Sequence, residues 1–356
     1  MAALPTTTAW STPGPATHDF RSDVVTTPTA SMLSAIAETT LGDDVFHEDA
    51  TTANLEAHIA DLTGHEAGLL VMSGTMGNQI ALRTHLGGPP HSVLCDARSH
   101  VLCYEAGGAA SLCGALVVGV EPKNGMWLTL EEIRDKAVLD GDVHGCPTRV
   151  VSLENTLNGV PMPLGETRRI VEWARGEGIV CHLDGARVWE AAVAGAGSLR
   201  ELCGGFDSVS LCFSKGLGAP IGSVLVGRRE FIAKARWVRK MLGGGLRQAG
   251  VIAAPMMVAV QETFVGGKLK ASHEMAKRVE KLWVSLGGRV KLPVETNIVW
   301  LDLEACGWDY PRFIELAKKH GVKISGARLV VHYQISDEGV KALEGIMKEM
   351  LLGETA

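Results

Sequence analysis

Asp207-Ser208-Val209-Ser210-Leu211-Cys212-Phe213-Ser214-Lys215-Gly216-Leu217-Gly218 is the stretch on which the reading of this chain turns. Its first seven residues are mostly apolar and bounded by glycines, which predicts a buried strand. A lysine closing such a strand is out of place by burial alone, because an unpaired ammonium is costly to desolvate. Desolvation also favours a neutral amine, and a neutral amine attacks a carbonyl to form an imine. Gly216 and Gly218 leave room beside it for something bulky. A surface lysine opening a glycine loop is the plain alternative. Asp184, thirty-one residues upstream at the end of another apolar run, weighs against it.

Outward from this stretch the chain alternates strand and helix. Apolar runs at 68–73, 92–95, 116–120, 149–153, 178–183 and 222–226 join 207–213 as seven predicted strands. Gly74-Thr75-Met76-Gly77-Asn78 opens a helix to about His85, and further helices fall near 101, 129–139 and 166–175. This rhythm predicts an α/β fold with a mostly parallel sheet covered on both faces. Ligands of such sheets sit beyond the carboxyl ends of the strands, where Gly74, His100, Asn155, Asp184 and Lys215 all fall. Upstream, helices at 31–38 and 54–62 flank the acid-dense 42–49 segment. It lacks the alternating oxygen ligands of a calcium loop and reads as a polar surface or interface loop. Helical pattern fills 230–286. Strands at 297–303, 322–324 and 329–331, with helices at 311–319 and 336–351, then form a smaller α/β unit. The expected division is a disordered tail over 1–17, a large domain over 18–265 and a small domain over 266–356.

The chain has 356 residues, 46% hydrophobic and 21% charged, as a soluble globular protein does. Thirty-four basic residues against 40 acidic give a net charge of −6, which argues against nucleic acid or an anionic membrane as partner. Eight scattered cysteines include no Cys-x-x-Cys pair, so reduced thiols in a cytoplasmic enzyme fit better than disulfides or a zinc site. No uninterrupted apolar stretch is long enough to span a bilayer. The first seventeen residues contain neither Lys nor Arg, unlike a signal peptide or a mitochondrial presequence.

Asp184 closes its strand in His182-Leu183-Asp184-Gly185-Ala186-Arg187. It either caps the next helix or keeps a pyridine nitrogen protonated so that the ring accepts electrons. Six motifs carry a closer resemblance: Phe20-Arg21-Ser22-Asp23, Glu105-Ala106-Gly107-Gly108, Glu154-Asn155-Thr156, Asp184-Gly185-Ala186-Arg187, Ser214-Lys215-Gly216-Leu217-Gly218 and Gly243-Gly244-Gly245-Leu246-Arg247-Gln248. In this order, from about Asp19 to the C-terminus, the chain resembles the L-threonine aldolase family, of the low-specificity and L-allo-threonine aldolase kind. The resemblance implies an aminotransferase-like fold-type I architecture and pyridoxal 5'-phosphate as cofactor, with no metal. It implies retro-aldol Cα–Cβ cleavage of β-hydroxy-α-amino acids to glycine and an aldehyde. It further implies a homodimer or homotetramer with sites at the subunit interface.

Roles follow from the same resemblance. Lys215 is expected to hold the cofactor covalently and Asp184 to face its ring nitrogen. Gly74 and Thr75, at a helix start, are expected to bind its phosphate, which suits free amides and the positive end of a helix dipole. Lys240 and Arg247 match further phosphate contacts, against the bland reading of a solvated basic face with Arg228, Arg229, Arg236 and Arg239. His100 matches a histidine stacked on the cofactor, and His144 one close to the substrate hydroxyl, either able to move a proton near neutral pH. Ser22, Arg187 and Arg328 match the clamp on the substrate carboxylate, which guanidinium binds bidentately. By presenting one Cα bond perpendicular to the ring, this clamp sets the reaction type.

Two positions depart from the family pattern: Leu157 where His is common, and Phe46 where Tyr is. Both remove a polar group from the expected pocket and keep a related alanine racemase open as an alternative. A dinucleotide loop is excluded because Gly216, Gly218 and Gly222 lack the Gly-x-Gly-x-x-Gly spacing and precede a strand. No phosphate-binding Gly-x-x-x-x-Gly-Lys-Ser/Thr run and no Gly-x-Ser-x-Gly elbow occurs. A non-catalytic binding protein on this fold would be expected to lose Lys215 or Asp184, and both are present.

Overall fold

The computed structural model describes Trp10 and residues 14–353. Seven strands form one sheet: β1 (Ala67–Val71), β2 (Ser92–Asp96), β3 (Leu116–Val120), β4 (Thr148–Glu154), β5 (Val180–Gly185), β6 (Ser208–Cys212) and β7 (Ser223–Gly227). Their spatial order is β1-β7-β6-β5-β4-β2-β3. Strands β2 to β6 pair in parallel, while β7 runs antiparallel to both β6 and β1. The ten residues between β6 and β7 hold no helix, and a parallel return needs a longer crossover, so the chain doubles back. One consequence is that β1 to β6 all end on the same edge. That edge receives Gly74, Glu154, Asp184 and Lys215.

Helices on both faces bury every residue of β2, β6 and β7, which explains their unbroken apolar runs. The main core gathers Leu70, Val151, Leu183, Val209 and Trp189, whose indole stands edge-on to Phe213 and Phe264. Gly250–Ala259, a π-helical turn over Val260–Val265 and Lys268–Ser285 carry the chain to a second core around Trp283, Phe313 and Leu343. Among the described residues no single helix is long and apolar enough to cross a membrane. All eight cysteines are free thiols.

The second unit pairs β8 (Ile298–Trp300) antiparallel with β9 (Arg328–Val330). The expected strand at 322–324 is replaced by an isolated bridge from Lys323 to Asp19. The N-terminal segment takes this edge: Phe20 N–H donates to Lys323 O at 2.8 Å, and Val330 N–H donates to Phe20 O at 2.9 Å. Phe20 is fully buried in the second core. The expected disordered tail is corrected at its end, because Gly14–His18 forms a 3-10 turn with Ala16 buried. The rest of that expectation lies outside the described residues, apart from Trp10.

The expected surface or interface loop at 42–49 keeps Phe46, His47 and Glu48 exposed but turns other acids inward. Asp44 is buried against Arg239, Asp43 caps a short turn and pairs with Arg247, and Asp49 caps the Ala50–Thr63 helix. Arg236 pairs with Glu56. The supposed basic face is therefore partly an internal charge network.

Candidate active site

At the phosphate end, β1 runs into the Gly74–His85 helix through Ser73, whose hydroxyl accepts the Met76 N–H at 3.1 Å. The first N–H groups of a helix have no partner within it. Gly77 must lack a side chain, because a Cβ there would collide with Ser210 Oγ on β6. The neighbouring Ser223 hydroxyl is buried without a hydrogen-bond partner.

Three acids and a histidine converge beyond β4 and β5. Asp184, closing β5, accepts Ala186 N–H at 3.0 Å on Oδ1 and Asn78 Nδ2–H at 2.7 Å on Oδ2. The same Asn78 amide donates to Glu105 Oε1 at 2.8 Å. His100 Nδ1–H donates to Glu105 Oε1 at 2.7 Å, which leaves Nε2 free and raises the imidazole pKa despite burial. Ligand atoms of His100, Glu105 and Asp184 lie within 4.8 Å of one another. The Asn78 amide donates to two of them and ties the cluster together. Glu154, at the end of β4, accepts the His100 backbone N–H at 2.8 Å. Burial, then the charge of Asp184, pushes its carboxyl up to about 7.

Lys215 projects from the loop after β6 and makes no hydrogen bond or ion pair among the described residues. Its charge reaches Asp23, His100 and Glu154. Two bulky neighbours shape the loop. A Cβ on Gly216 would strike Glu190 Oε1, and one on Gly218 (φ +83°) the Tyr333 hydroxyl. Gly218→Ala therefore combines left-handed backbone strain with a displaced half-buried tyrosine. It should lower stability by about 1–3 kcal/mol, read by chemical denaturation. A loss below a few tenths would show that the loop rearranges freely.

Arg187 is not an open fork. Its Nε–H and Nη2–H donate to Asp23 at 2.8 and 2.7 Å, and Asn297 Nδ2–H adds a third bond to Asp23 at 3.2 Å. Burial alone would raise the Asp23 carboxyl, but Arg187, with Lys215 and Arg328 beyond, holds it well below the usual carboxylate range. What Arg187 offers a ligand is its remaining edge. Arg328, on β9, has no ion-pair partner among the described residues, and burial together with the Arg187 charge pushes it down to about 10. Two guanidiniums and one internal carboxylate leave a site that favours one more anion. Ser22 caps the Asp23–Val25 turn beside them.

Asp23→Asn should strand a buried guanidinium and cost about 3–5 kcal/mol. Because the folded pKa of Asp23 is depressed, its contribution is present above the unfolded carboxyl pKa of about 3.9. It is lost as pH falls from there toward the folded value. Urea unfolding of both proteins at pH 7 checks this, and a difference under about 1 kcal/mol would refute it.

The structure thus brings together His100, Asp184, Arg187, Arg328, Ser22 and Lys215. It does not bring His144 to them: that side chain is 89% exposed, on a loop, with its ring on Asp142 at 2.8 Å. The polar loop around His144 projects into solvent because no apolar residue anchors it; Val143 is itself 92% exposed. Lys240 and Arg247 face outward beside the first turn of the Gly74–His85 helix, where Gly244 packs on Met76. Arg247 covers the exposed Phe46 ring at 5.9 Å. Leu157 is buried. Sequence reasoning assigned no role to Asp23, Asn78, Glu105 or Glu154. Three of these four stand inside motifs it quoted, which was the available signal.

Over residues 19–306 the chain matches the beta-eliminating lyase family. It is 58% identical to the aldolase vrtJ of Penicillium aethiopicum, across 97% of this chain and 89% of that protein. It is 45% identical to the alanine racemase TOXG of Cochliobolus carbonum, across 96% and 90%. It is 46% identical to a low-specificity L-threonine aldolase of Candida albicans, across 94% and 90%. A solved threonine aldolase of Leishmania major shares the fold with a TM-score of 0.80 at 18% identity, covering 94% of this chain and 99% of that one.

Proposed function

The chain belongs to the L-threonine aldolase family, and from that premise we propose that it cleaves L-threonine, L-allo-threonine or a related β-hydroxy-α-amino acid to glycine and an aldehyde. The observation that carries this reading is an amine without a counter-ion, Lys215, set between a buried carboxylate cluster and two arginines that favour an anion.

The donor set fits pyridoxal 5'-phosphate. Lys215 is the group to hold it covalently, Asp184 to face its ring nitrogen, and the free amides at Gly74 and Thr75 with the unpartnered Ser223 hydroxyl to bind its phosphate. When bound, it supplies a protonated pyridine ring that takes up the electron pair left at Cα as a bond breaks. Arg328 and the free edge of Arg187 hold the substrate carboxylate and turn Cα–Cβ toward cleavage. His100, steadied by Glu105 on Nδ1, presents Nε2 to take the β-hydroxyl proton. The hydrogen bond to Glu105 raises its pKa, so the rate should climb with pH as the ring loses its proton, at higher pH than for a free imidazole. Glu154, poised near 7 beside His100, is a second place for that proton.

Lys240 and Arg247 serve the phosphate from a second copy of the chain on this reading. Lys240 lines a groove of about 520 Å³ with the exposed Trp237 and Met241. A homodimer or homotetramer on a sizing column supports it.

A racemase is the second reading, favoured by the alanine racemase relative. It would use the same lysine, aspartate and cofactor with a different Cα bond presented. Incubation with L-threonine, L-allo-threonine and L-alanine in deuterated water separates the two. Acetaldehyde release is expected. Deuterium in D-alanine without aldehyde from either threonine would overturn the aldolase.

A further inference from the structure

Asp184 stands at the end of a hydrogen-bonded chain whose polarity can be assigned atom by atom. Both hydrogens of the Asn78 amide are committed, one to Glu105 and one to Asp184. The flipped amide would turn its oxygen on two carboxylates, so Asn78 Oδ1 must face the other way. There it meets His182 Nε2 at 3.0 Å. An oxygen cannot donate, so His182 carries its proton on Nε2. Burial pushes His182 down to about 4, so the ring is neutral and Nδ1 is bare. Ser208 Oγ lies 2.8 Å from Nδ1 and donates to it. With its proton spent, Ser208 Oγ accepts from His85 Nε2–H at 2.8 Å. Burial holds His85, stacked on Phe231, down to about 3 and equally neutral.

Every donor therefore points one way, from His85 through Ser208, His182 and Asn78 to Asp184. All but His85 are buried, so no water competes. Three titratable groups crowd this carboxylate: Glu154 from β4, and His100 and Glu105 from the segment after β2. The two acids, Glu154 and Glu105, oppose its charge. The chain supplies the counterweight without adding a cation.

We propose that Asn78 and His182 are positioning residues for the reaction, fixing Asp184 through a one-way run of donors so that its carboxylate faces the ring nitrogen of a bound pyridine cofactor. This rests on the cofactor reading above. A donor to a charged group is worth roughly 10- to 100-fold in equilibrium terms.

The test compares His182→Leu, which breaks the run, with His182→Gln, whose amide still donates toward Asn78. Each holoenzyme is titrated with pH while its visible absorption is followed, and kcat and KM are measured. His182→Leu should shift the titration of the band by at least about one pH unit and lower kcat about 10- to 100-fold. The amino-acid KM should change less than about threefold, and His182→Gln should recover most of kcat. A folded His182→Leu with an unmoved band and wild-type kcat overturns the proposal. If that variant does not fold, Ser208→Ala decides: a shifted band is expected, and an unchanged one overturns it. Nitrogen NMR of histidine-labelled protein as purified reads the His182 tautomer apart from any cofactor, and an Nδ1–H form also overturns the run. A wild type without a borohydride-sensitive visible band refutes the cofactor reading instead.

Discussion

Lys215→Ala is expected to abolish turnover and the visible absorption of bound cofactor together while leaving the fold intact. Covalent attachment needs an amine at this one place, and no other lysine is among the groups whose charge reaches Asp23, His100 and Glu154. The substitution removes a cation that has no hydrogen bond or ion pair among the described residues, so thermal stability should fall little. Free cofactor added back should bind weakly through phosphate contacts and be lost on dialysis. A variant that keeps full absorption, bleachable by borohydride, would place the attachment at another lysine. A variant that keeps the absorption and the rate would remove Lys215 from the chemistry altogether.

Asp184→Asn should retain cofactor but lose about 100- to 1,000-fold or more in kcat. The geometry makes the loss twofold in origin. Asp184 accepts from two N–H groups on its two oxygens, and asparagine has one oxygen. Either Ala186 or Asn78 then faces an amide with its own donor, and the side chain must turn. In addition, the neutral amide no longer favours a proton on a ring nitrogen in front of it. Absorption of the bound cofactor should persist, and KM should move less than kcat. Retention of most of the wild-type kcat would refute the role.

The sheet was legible because its strands are short apolar runs closed by glycines, and because strand ends collect unusual residues. Lys215, Asp184 and His100 stand out by being polar where burial predicts otherwise. Long-range charge pairing was not legible. Asp23 and Arg187 are 164 residues apart, and nothing local to Phe20-Arg21-Ser22-Asp23 says which cation it meets. Asp44 reads as part of a polar loop until Arg239 arrives against it. Asn78 reads as one more polar residue of a helix. Its place four positions after Gly74 turns it toward β5, which only the assembled layers reveal. His144 differs: within the single chain its polar loop lies in solvent, with the ring on Asp142.

The edge that Phe20 shares with Lys323 and Val330 has a consequence for how the protein is made. Residues 19–23 are made early yet are among the last to find all their partners, since β9 leaves the ribosome some three hundred residues after Asp23. At about 5–20 residues per second, that is a wait of roughly 15–60 s. During it the large sheet can form and Lys215 can be in place, yet Asp23 has no small domain to seat it and Arg328 does not exist. On the proposed reading, a half-made chain carries Lys215 and Arg187 but only half of the pair of arginines that would grip a carboxylate.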